Sequence, residues 1–294
     1  MASTVDARDR VVPIRRGVST PALRPALQAA YVLSWLIVVL VVTISILGLT
    51  VQGLYHDGAW ANEAFRGADL ITLAIATPLL IGSLVLARRG SARATAVWIG
   101  MLGYVLYNDA FAVFGANFND AFLLHIAVFS CAVYALACGL PALDVIGIGE
   151  QLRTERWARW AGGFLVIVGV LQGALWVFLI VRNAITGELL ADVPVQGQHV
   201  VFALDLSLMM PVLVISGVLL FRRRAAGFLL GTAVAVLGAV YTLNGLAAAW
   251  FQSRAGVPGT KAFSPDAVAL SVAMVVPAAM LLLGSRRHRT LRSA

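Results

Sequence analysis

The chain has 294 residues, of which 60% are hydrophobic and only 12% are charged, and its formal net charge is +8. A soluble domain carries about 25% charged residues, so this chain has too few charges to cover a water-exposed surface. The composition excludes a soluble globular protein, a disordered chain and a nucleic-acid-binding module. It predicts an integral membrane protein in which the basic excess reflects topology.

Eight apolar segments are each long enough to cross a bilayer core, which requires about 20 residues per helix. Backbone polar groups in lipid must be satisfied within the protein, so each segment is predicted to be a helix and the fold to be an all-α polytopic bundle. The alternating segments of about ten residues that a β-barrel needs are absent. The predicted spans are 29–51, 68–87, 94–115, 120–140, 161–183, 198–221, 226–250 and 266–284.

The remaining segments are short and polar. Residues 1–28 form a basic tail, 285–294 form a second basic tail, and 141–160 link the fourth and fifth spans. The first span is too long for a cleaved signal peptide and predicts an uncleaved anchor. The charges and tryptophans of the linker fit either a short amphipathic interfacial helix or a solvated connection. Cys131 and Cys138 are too far apart along one helix for a disulfide.

The basic residues predict the orientation of the bundle. Of the 22 Lys and Arg residues, 18 lie in the two tails and in alternate loops on one side, while Arg66, Arg182, Arg254 and Lys261 lie on the other side. By the positive-inside rule, both termini are cytoplasmic in a multi-pass plasma or inner membrane protein. The basic tails either serve this topology alone or also bind anionic lipid headgroups.

A weak internal similarity suggests a duplication. Asp69 precedes Pro78 and an arginine pair, and Asp205 precedes Pro211 and an arginine triplet. Four spans per half predict a 4+4 parallel repeat of residues 29–140 and 161–284 about an axis normal to the membrane. The alternative is chance similarity between helices rich in Leu and Val.

Polar side chains within the spans are the candidate functional residues, because charge in a membrane costs about 2.5–3.5 kcal/mol. They gather in the outer half of the bundle, which predicts a polar pocket open to the outside. The candidates are Asp69, Tyr104, Tyr107, Asn108, Asp109, His125, Asp205, Tyr241 and Asn244. Simpler roles are an interfacial N-cap for Asp69, interhelical hydrogen bonds for the asparagines and His125, and an aromatic belt for the tyrosines. Asp109 and Asp205 are the hardest to explain in this way.

No cofactor is expected. His56, His125 and His199 with Asp57 or Asp69 are the one conceivable metal set, but no ligand spacing supports it. The lone lysine, Lys261, lies in a loop, which excludes a retinal Schiff base within a helix. Nucleotide-binding motifs are absent from the sequence.

Several short motifs carry a resemblance that covers roughly residues 50–284. They are Gly67-Ala68-Asp69-Leu70 before Pro78, Ala87-Arg88-Arg89-Gly90-Ser91, Gly103-Tyr104-Val105-Leu106-Tyr107-Asn108, Phe114-Gly115-Ala116-Asn117-Phe118-Asn119, and Leu204-Asp205-Leu206 before Pro211. On these motifs the chain resembles a loosely defined family of bacterial multi-pass membrane proteins with no assigned activity. The resemblance implies a fold and a location but no chemistry, and Asp109 stands where members carry an aromatic residue.

Three functions fit these observations. The leading hypothesis is an outward-facing pocket that binds or transports a small solute or ion, with Asp109, Asp205 and His125 as its titrating groups. The scarcity of polar residues in the inner half favours the first alternative, an enzyme acting on a lipid or isoprenoid at the outer leaflet, with Asp109 or Asp205 as general acid and His125 as base. The second alternative is a non-catalytic subunit of a membrane complex. The expected partners are membrane lipids and a small solute, ion or lipid ligand, with no nucleic acid; the oligomeric state stays open.

Overall fold

The computed structural model describes residues 23–188 and 195–284, and within these ranges the chain is helical without β-strands. Most of the predicted N-terminal tail and all of the C-terminal tail lie outside the described residues. The described part contains eight helices that are long and apolar enough to cross a membrane, which confirms the predicted all-α bundle of eight spans. Their bounds are Arg24–Thr50 (span 1), Ala59–Arg88 (span 2), Ala92–Gly115 (span 3), Phe122–Ala142 (span 4), Glu155–Thr186 (span 5), Gly197–Phe221 (span 6), Ala225–Arg254 (span 7) and Pro265–Gly284 (span 8).

Two helices begin six or more residues earlier than the hydropathy pattern predicts. Span 2 begins at Ala59 rather than at 68, and span 5 begins at Glu155 rather than at 161. The first turns of span 2 carry Asn62, Glu63 and Arg66, which an apolar window does not count as membrane helix. Asp69 is therefore buried well inside span 2, and its interpretation as an N-cap at the water interface is wrong.

The linker between the halves contains a short helix over Val145–Gln151. The Asp144 carboxylate caps this helix by accepting a hydrogen bond from the Gly147 amide at 2.9 Å. The charged segment that follows is held by Arg153, which pairs with Glu150 and Glu155. The helix thus ends before most of the charged residues that suggested it, and the tryptophans of the predicted linker belong to span 5.

Spans 3 and 7 form the centre of the bundle. In their most apolar windows 61% and 72% of residues are buried, against 11% for span 5. Their backbones approach closely at Gly100, where a Cβ atom would lie only 2.5 Å from the Ala233 carbonyl oxygen. Span 2 meets span 7 in the same way, because a Cβ on Gly67 would overlap the backbone of Ala248. Small residues allow such contacts between membrane helices, where packing supplies the attraction.

Spans 2 and 6 each contain a π-helical turn, over Thr72–Ala76 and Asp205–Met209. In both spans the first residue of the turn lies six positions before a proline, Pro78 or Pro211. Proline has no backbone N–H to donate and commonly accompanies such local changes in helix winding. Asp205 and Thr72 therefore occupy the same position in the two π-helical turns. The sequence pattern had paired Asp205 with Asp69, which lies three residues before Thr72. The duplication itself stays a prediction.

The bundle has two chemically different ends. We call the end with the loops at 89–91, 152–154 and 222–224 the arginine-rich end, and the end with the loops at 51–58, 116–121 and 255–264 the opposite end. Nearly all the candidate residues lie in the half of the bundle near the opposite end. Cys131 and Cys138 are both free and partly buried.

Candidate functional site

Eight of the nine candidate residues form two groups, and the ninth, Asp205, is hydrogen-bonded to Tyr107 of the second group. One group, which we call the acid network, joins spans 1 to 4, and one member, Tyr55, borders a smaller cavity of about 280 Å³. The other group surrounds a cavity bounded by spans 2, 3, 6, 7 and 8. The acid network consists of Ser45, Tyr55, Asp69, Thr72, Tyr104, Asp109 and His125.

Asp69 connects span 2 to span 1 and to the loop that follows it. Its Oδ2 accepts a hydrogen bond of 2.7 Å from the Tyr55 hydroxyl, and the Ser45 hydroxyl also hydrogen-bonds this carboxyl group. Burial, together with the neighbouring Asp69, raises the pKa of Tyr55 far above its usual range, so this phenol keeps its proton and remains a donor. Asp69 is thus satisfied locally by neutral donors.

Gly48 makes this arrangement possible. A Cβ atom at this position would overlap Asp69 Oδ2 and would lie 2.7 Å from the Tyr55 hydroxyl oxygen. Span 1 therefore passes the carboxylate at backbone distance, and the absence of a side chain at Gly48 leaves the space that the carboxylate fills.

Asp109 and His125 join span 3 to span 4. His125 Nδ1 lies 2.8 Å from Asp109 Oδ1, and each side chain is only 5% exposed. The second ring nitrogen of His125, Nε2, is buried and has no hydrogen-bond partner among the described residues. A buried pair of this kind fixes the two helices against each other because separating it would leave a polar group without a partner.

Tyr104 belongs to the same buried region. Its hydroxyl lies 2.9 Å from the Thr72 hydroxyl, at the start of the π-helical turn of span 2. Tyr104 is 1% exposed and Tyr107 is 3% exposed, so neither lies in an aromatic belt facing lipid. That interpretation is wrong for these two tyrosines.

Asp205 lies at the start of the π-helical turn of span 6 and is held by two other spans. One carboxylate oxygen accepts a hydrogen bond from the Tyr107 hydroxyl of span 3. The other oxygen accepts a hydrogen bond of 2.7 Å from the indole nitrogen of Trp176 in span 5. No Lys, Arg or His of the described ranges forms an ion pair with Asp205.

The cavity has a volume of about 420 Å³. Four hydrogen-bonding candidates line it: Tyr107, Asn108, Tyr241 and Asn244. The rest of its wall is largely apolar and includes Ala61, Ala64, Phe65, Ala68, Val201 and Leu270. Tyr107 and Tyr241 meet edge to face with ring centroids 5.0 Å apart. Asn244 Nδ2 donates a hydrogen bond of 3.0 Å to Asn108 Oδ1, joining the two central spans at the cavity wall.

The cavity reaches the surface of the bundle beside Gly245 and Leu270, both of which are exposed. Gly245 lies nine residues before the end of span 7, or about 14 Å along the helix, and Leu270 lies about 8 Å inside span 8. The opening therefore lies on the flank of the bundle within the apolar segments, in the half near the opposite end.

The structure thus divides the predicted pocket. Tyr107, Asn108, Tyr241 and Asn244 share one cavity, whereas Asp69, Asp109 and Asp205 are each bound separately by side chains of neighbouring elements. Tyr104 and His125 also lie away from the cavity wall. The physical reason is that an acid in an apolar interior needs immediate donors. The functional roles of all nine residues stay predictions.

The three histidines that were considered as metal ligands do not lie together in one site. His56 Nδ1 lies 2.9 Å from the Phe118 carbonyl oxygen, and the Asp57 carboxylate accepts a hydrogen bond from the Asn117 amide, so this pair joins two loops at the opposite end. His199 is exposed on span 6. In residues 23–188 and 195–284 no group of three or more His, Cys, Asp or Glu side chains is placed to hold a metal ion.

The structure adds contacts to the candidate residues that the sequence did not single out. Trp176 binds Asp205, Gly48 makes room for Asp69, and Tyr55 donates to Asp69. The indole of Trp176 gave one signal, because a buried tryptophan N–H generally requires an acceptor. For Gly48 no signal existed, since its role depends on a side chain 21 positions away.

The chain matches no protein-family model, and comparisons with curated proteins and with solved structures give no match either.

Proposed function

We propose that the protein binds a small, largely apolar molecule with a polar end in the cavity lined by Tyr107, Asn108, Tyr241 and Asn244. The cavity is the single observation that carries this proposal. Its volume of about 420 Å³ falls in the range of about 300–1,000 Å³ that is typical of small-molecule sites. Such sites combine a mostly apolar wall with a few polar groups that orient the ligand.

The position of the opening supports a ligand that arrives from the bilayer. Gly245 and Leu270 border it at membrane depth, where a water-soluble solute would first have to enter lipid. This favours an amphiphile over an ion or a polar solute. A carrier and a lipid-modifying enzyme would both begin with such binding, so binding is the step to test first.

We also propose that the arginine-rich end faces the cytoplasm of a bacterial plasma or inner membrane, which places the cavity in the outer leaflet. The distribution of 18 of the 22 basic residues supports this orientation. Single cysteines at the exposed Lys261 and Arg89 positions, in a chain with Cys131 and Cys138 replaced by alanine, would test it. An impermeant maleimide should label Lys261→Cys in intact cells and Arg89→Cys only after lysis; the reverse pattern would contradict the orientation.

Ligand binding can be tested by photolabelling of the full chain in lipid nanodiscs. The probes are a fatty alcohol carrying a diazirine and its methyl ether, and labelled peptides are mapped by mass spectrometry. Gly245→Leu should block the mouth of the cavity, since no atom lies within 4 Å of a Cβ at this position. Gly82→Leu is the matched control, because Gly82 is also an exposed helical glycine with free space at its Cβ.

We expect labels on cavity-lining peptides of spans 3 and 7, reduced about fivefold or more in Gly245→Leu and unchanged in Gly82→Leu. General contact with lipid would label the exposed face of span 5 as strongly in every variant. If only such labels appear, with no difference between the two variants, the protein has no ligand site in this cavity.

A further inference from the structure

We propose that an anionic phospholipid binds at the arginine-rich end, with an acyl chain in a groove along span 8 and its phosphate on Arg156. This site is separate from the cavity described above, and the inference does not depend on the proposed function. The groove has a volume of about 420 Å³ and opens at the surface of the bundle, where Leu283 is 80% exposed. It is lined by Trp157, Val276, Ala279, Met280, Leu283 and Gly284.

The groove follows one face of span 8. The residues of this helix that line it recur at the three- and four-residue intervals of a single helical face, from Val276 to Gly284. They extend over about 12 Å from the last residue of the helix into its apolar segment. Ala279 contributes only a methyl group and Gly284 no side chain, so this face is hollow. An acyl chain, which is apolar and runs along the helices of a membrane protein, fits such a groove.

The start of span 5 closes the groove at the arginine-rich end. A Cβ atom on Gly284 would lie 2.9 Å from Thr154 Oγ1 and 3.0 Å from Trp157 Cδ1, so the two helices meet there. Trp157 lies in the first turn of span 5. Tryptophan is typical of the membrane interface, at the level of the lipid headgroups. A lipid whose chain fills the groove would therefore have its headgroup beside Trp157.

Arg156 is positioned to bind that headgroup. Its guanidinium carbon lies 4.8 Å from the centroid of the Trp157 ring, and this cation–π contact keeps the guanidinium beside the groove. The contact uses the face of the guanidinium plane and leaves its N–H groups to donate. A guanidinium group can donate two parallel hydrogen bonds to one phosphate, which makes arginine suited to a phosphate headgroup.

The charges of this segment leave a positive excess beside the groove. The two acidic side chains, Glu150 and Glu155, already pair with Arg153. Arg156 and Arg159 lie three residues apart, are exposed, and form no ion pair with any residue of 23–188 or 195–284. Basic sites beside membrane helices bind the phosphate headgroups of anionic lipids. Charge and groove together therefore indicate one ligand class.

Other ligands satisfy only part of this arrangement. A zwitterionic phospholipid would fill the groove equally well, but its ammonium group would lie near Arg156 and Arg159. A free phosphate ion would contact the arginines and leave the groove unused. An anionic phospholipid uses the apolar groove and the positive charge at the same time.

The test is photolabelling of the full chain in phosphatidylcholine nanodiscs. They contain a small fraction of phosphatidylglycerol or of phosphatidylcholine, each with the same diazirine in its acyl chain, and labelled peptides are mapped by mass spectrometry. Phosphatidylglycerol should label residues 276–284 about fivefold more than phosphatidylcholine does, the effect of about one basic side chain at the membrane surface. An excess of inorganic phosphate should leave this labelling unchanged.

Two substitutions at Arg156 test the headgroup contact. Arg156→Gln should reduce labelling by phosphatidylglycerol to the level of phosphatidylcholine, because the charge is lost. Arg156→Lys keeps the charge and should retain part of the preference. Arg89→Gln is the matched control, since Arg89 is an exposed arginine of the same end in the loop between spans 2 and 3. It should leave the fivefold preference intact.

A substitution in the groove tests where the acyl chain lies. Ala279→Phe should fill the groove and reduce labelling of residues 276–284 by phosphatidylglycerol about fivefold or more. Val272→Phe is the control, because Val272 is exposed on the same helix and does not line the groove. It should leave the labelling unchanged.

Three results would overturn the inference. Equal labelling by the two lipids would show that the site does not select an anionic headgroup. An equal loss in Arg156→Gln and Arg89→Gln would show a diffuse attraction of anionic lipid to the whole end. Equal labelling in Ala279→Phe and Val272→Phe would show that the acyl chain lies outside the groove. Labelling of the cavity by the fatty alcohol is a separate readout, so either proposal can fail without the other.

Discussion

The acid network and the cavity use similar residues in opposite ways. Both combine tyrosines with buried aspartates at a similar depth, yet span 1 packs directly against Asp69, whereas Tyr107, which binds Asp205, lines a cavity of about 420 Å³. In the network, Gly48 lets span 1 close over Asp69. At the cavity, Ala61, Ala64 and Gly245 leave the space between helices unfilled. A buried acid in a membrane bundle therefore does not by itself indicate a pocket. Whether a cavity forms depends on where the small residues lie between the helices.

The acids are satisfied in two ways. Asp109 has an ionisable partner in His125, whereas Asp69 and Asp205 each have two neutral donors. Asp205 is connected to the wall of the 420 Å³ cavity through Tyr107. This difference predicts that substitutions in the network mainly alter stability, while substitutions at the cavity mainly alter ligand binding.

The largest effect is expected from His125→Leu. It would leave Asp109 buried without its partner, which typically costs about 3–5 kcal/mol. The measurement is the free energy of unfolding in mixed detergent micelles. His199→Leu is the matched control, because His199 is exposed and should change stability by less than about 0.5 kcal/mol. Equal stability of the two variants would show that the Asp109–His125 pair does not hold spans 3 and 4 together.

Gly48→Ala should cause the second largest loss of stability. The added methyl group would overlap the Asp69 carboxylate, and overpacking of this kind costs about 1–3 kcal/mol. Gly82→Ala, at an open position in span 2, should be close to neutral. The same unfolding measurement applies. A Gly48→Ala protein as stable as the control would mean that Asp69 can move away from span 1 at little cost.

Asn244→Ala should have a smaller effect on stability. Hydrogen bonds between membrane helices contribute about 0.6 kcal/mol on average, and Asn244 makes one such bond to Asn108. A double-mutant cycle with Asn108→Ala isolates this coupling. A coupling energy indistinguishable from zero would show that the amide pair does not stabilise the contact between spans 3 and 7.

The smallest effect on stability, and the largest on binding, should come from Gly245→Leu. Its side chain would enter open space, so the free energy of unfolding should change by less than about 0.5 kcal/mol. Photolabelling of the cavity should nevertheless fall as described above. A marked loss of stability together with loss of labelling would remove the contrast between a structural network and a binding cavity.

Much of the fold was predictable because the bilayer imposes simple rules on sequence. Length and hydropathy were enough to place eight helices, since each must satisfy its backbone internally over about 20 apolar residues. The polar residues within the spans could also be identified from the sequence, because they interrupt otherwise apolar segments. The starts of spans 2 and 5 were missed because polar first turns continue these helices beyond the apolar window.

The site was only partly predictable. The sequence by itself determined that the chain is an eight-span helical bundle and that its acids, tyrosines and asparagines lie near one end. Only the tertiary structure decided that Asp109 pairs with His125, that Asp205 binds Tyr107 and Trp176, and that four of the nine candidates share a cavity. The reason is that periodicity specifies depth and face along one helix, whereas partners and empty space depend on which helices meet and on how closely glycine and alanine let them approach.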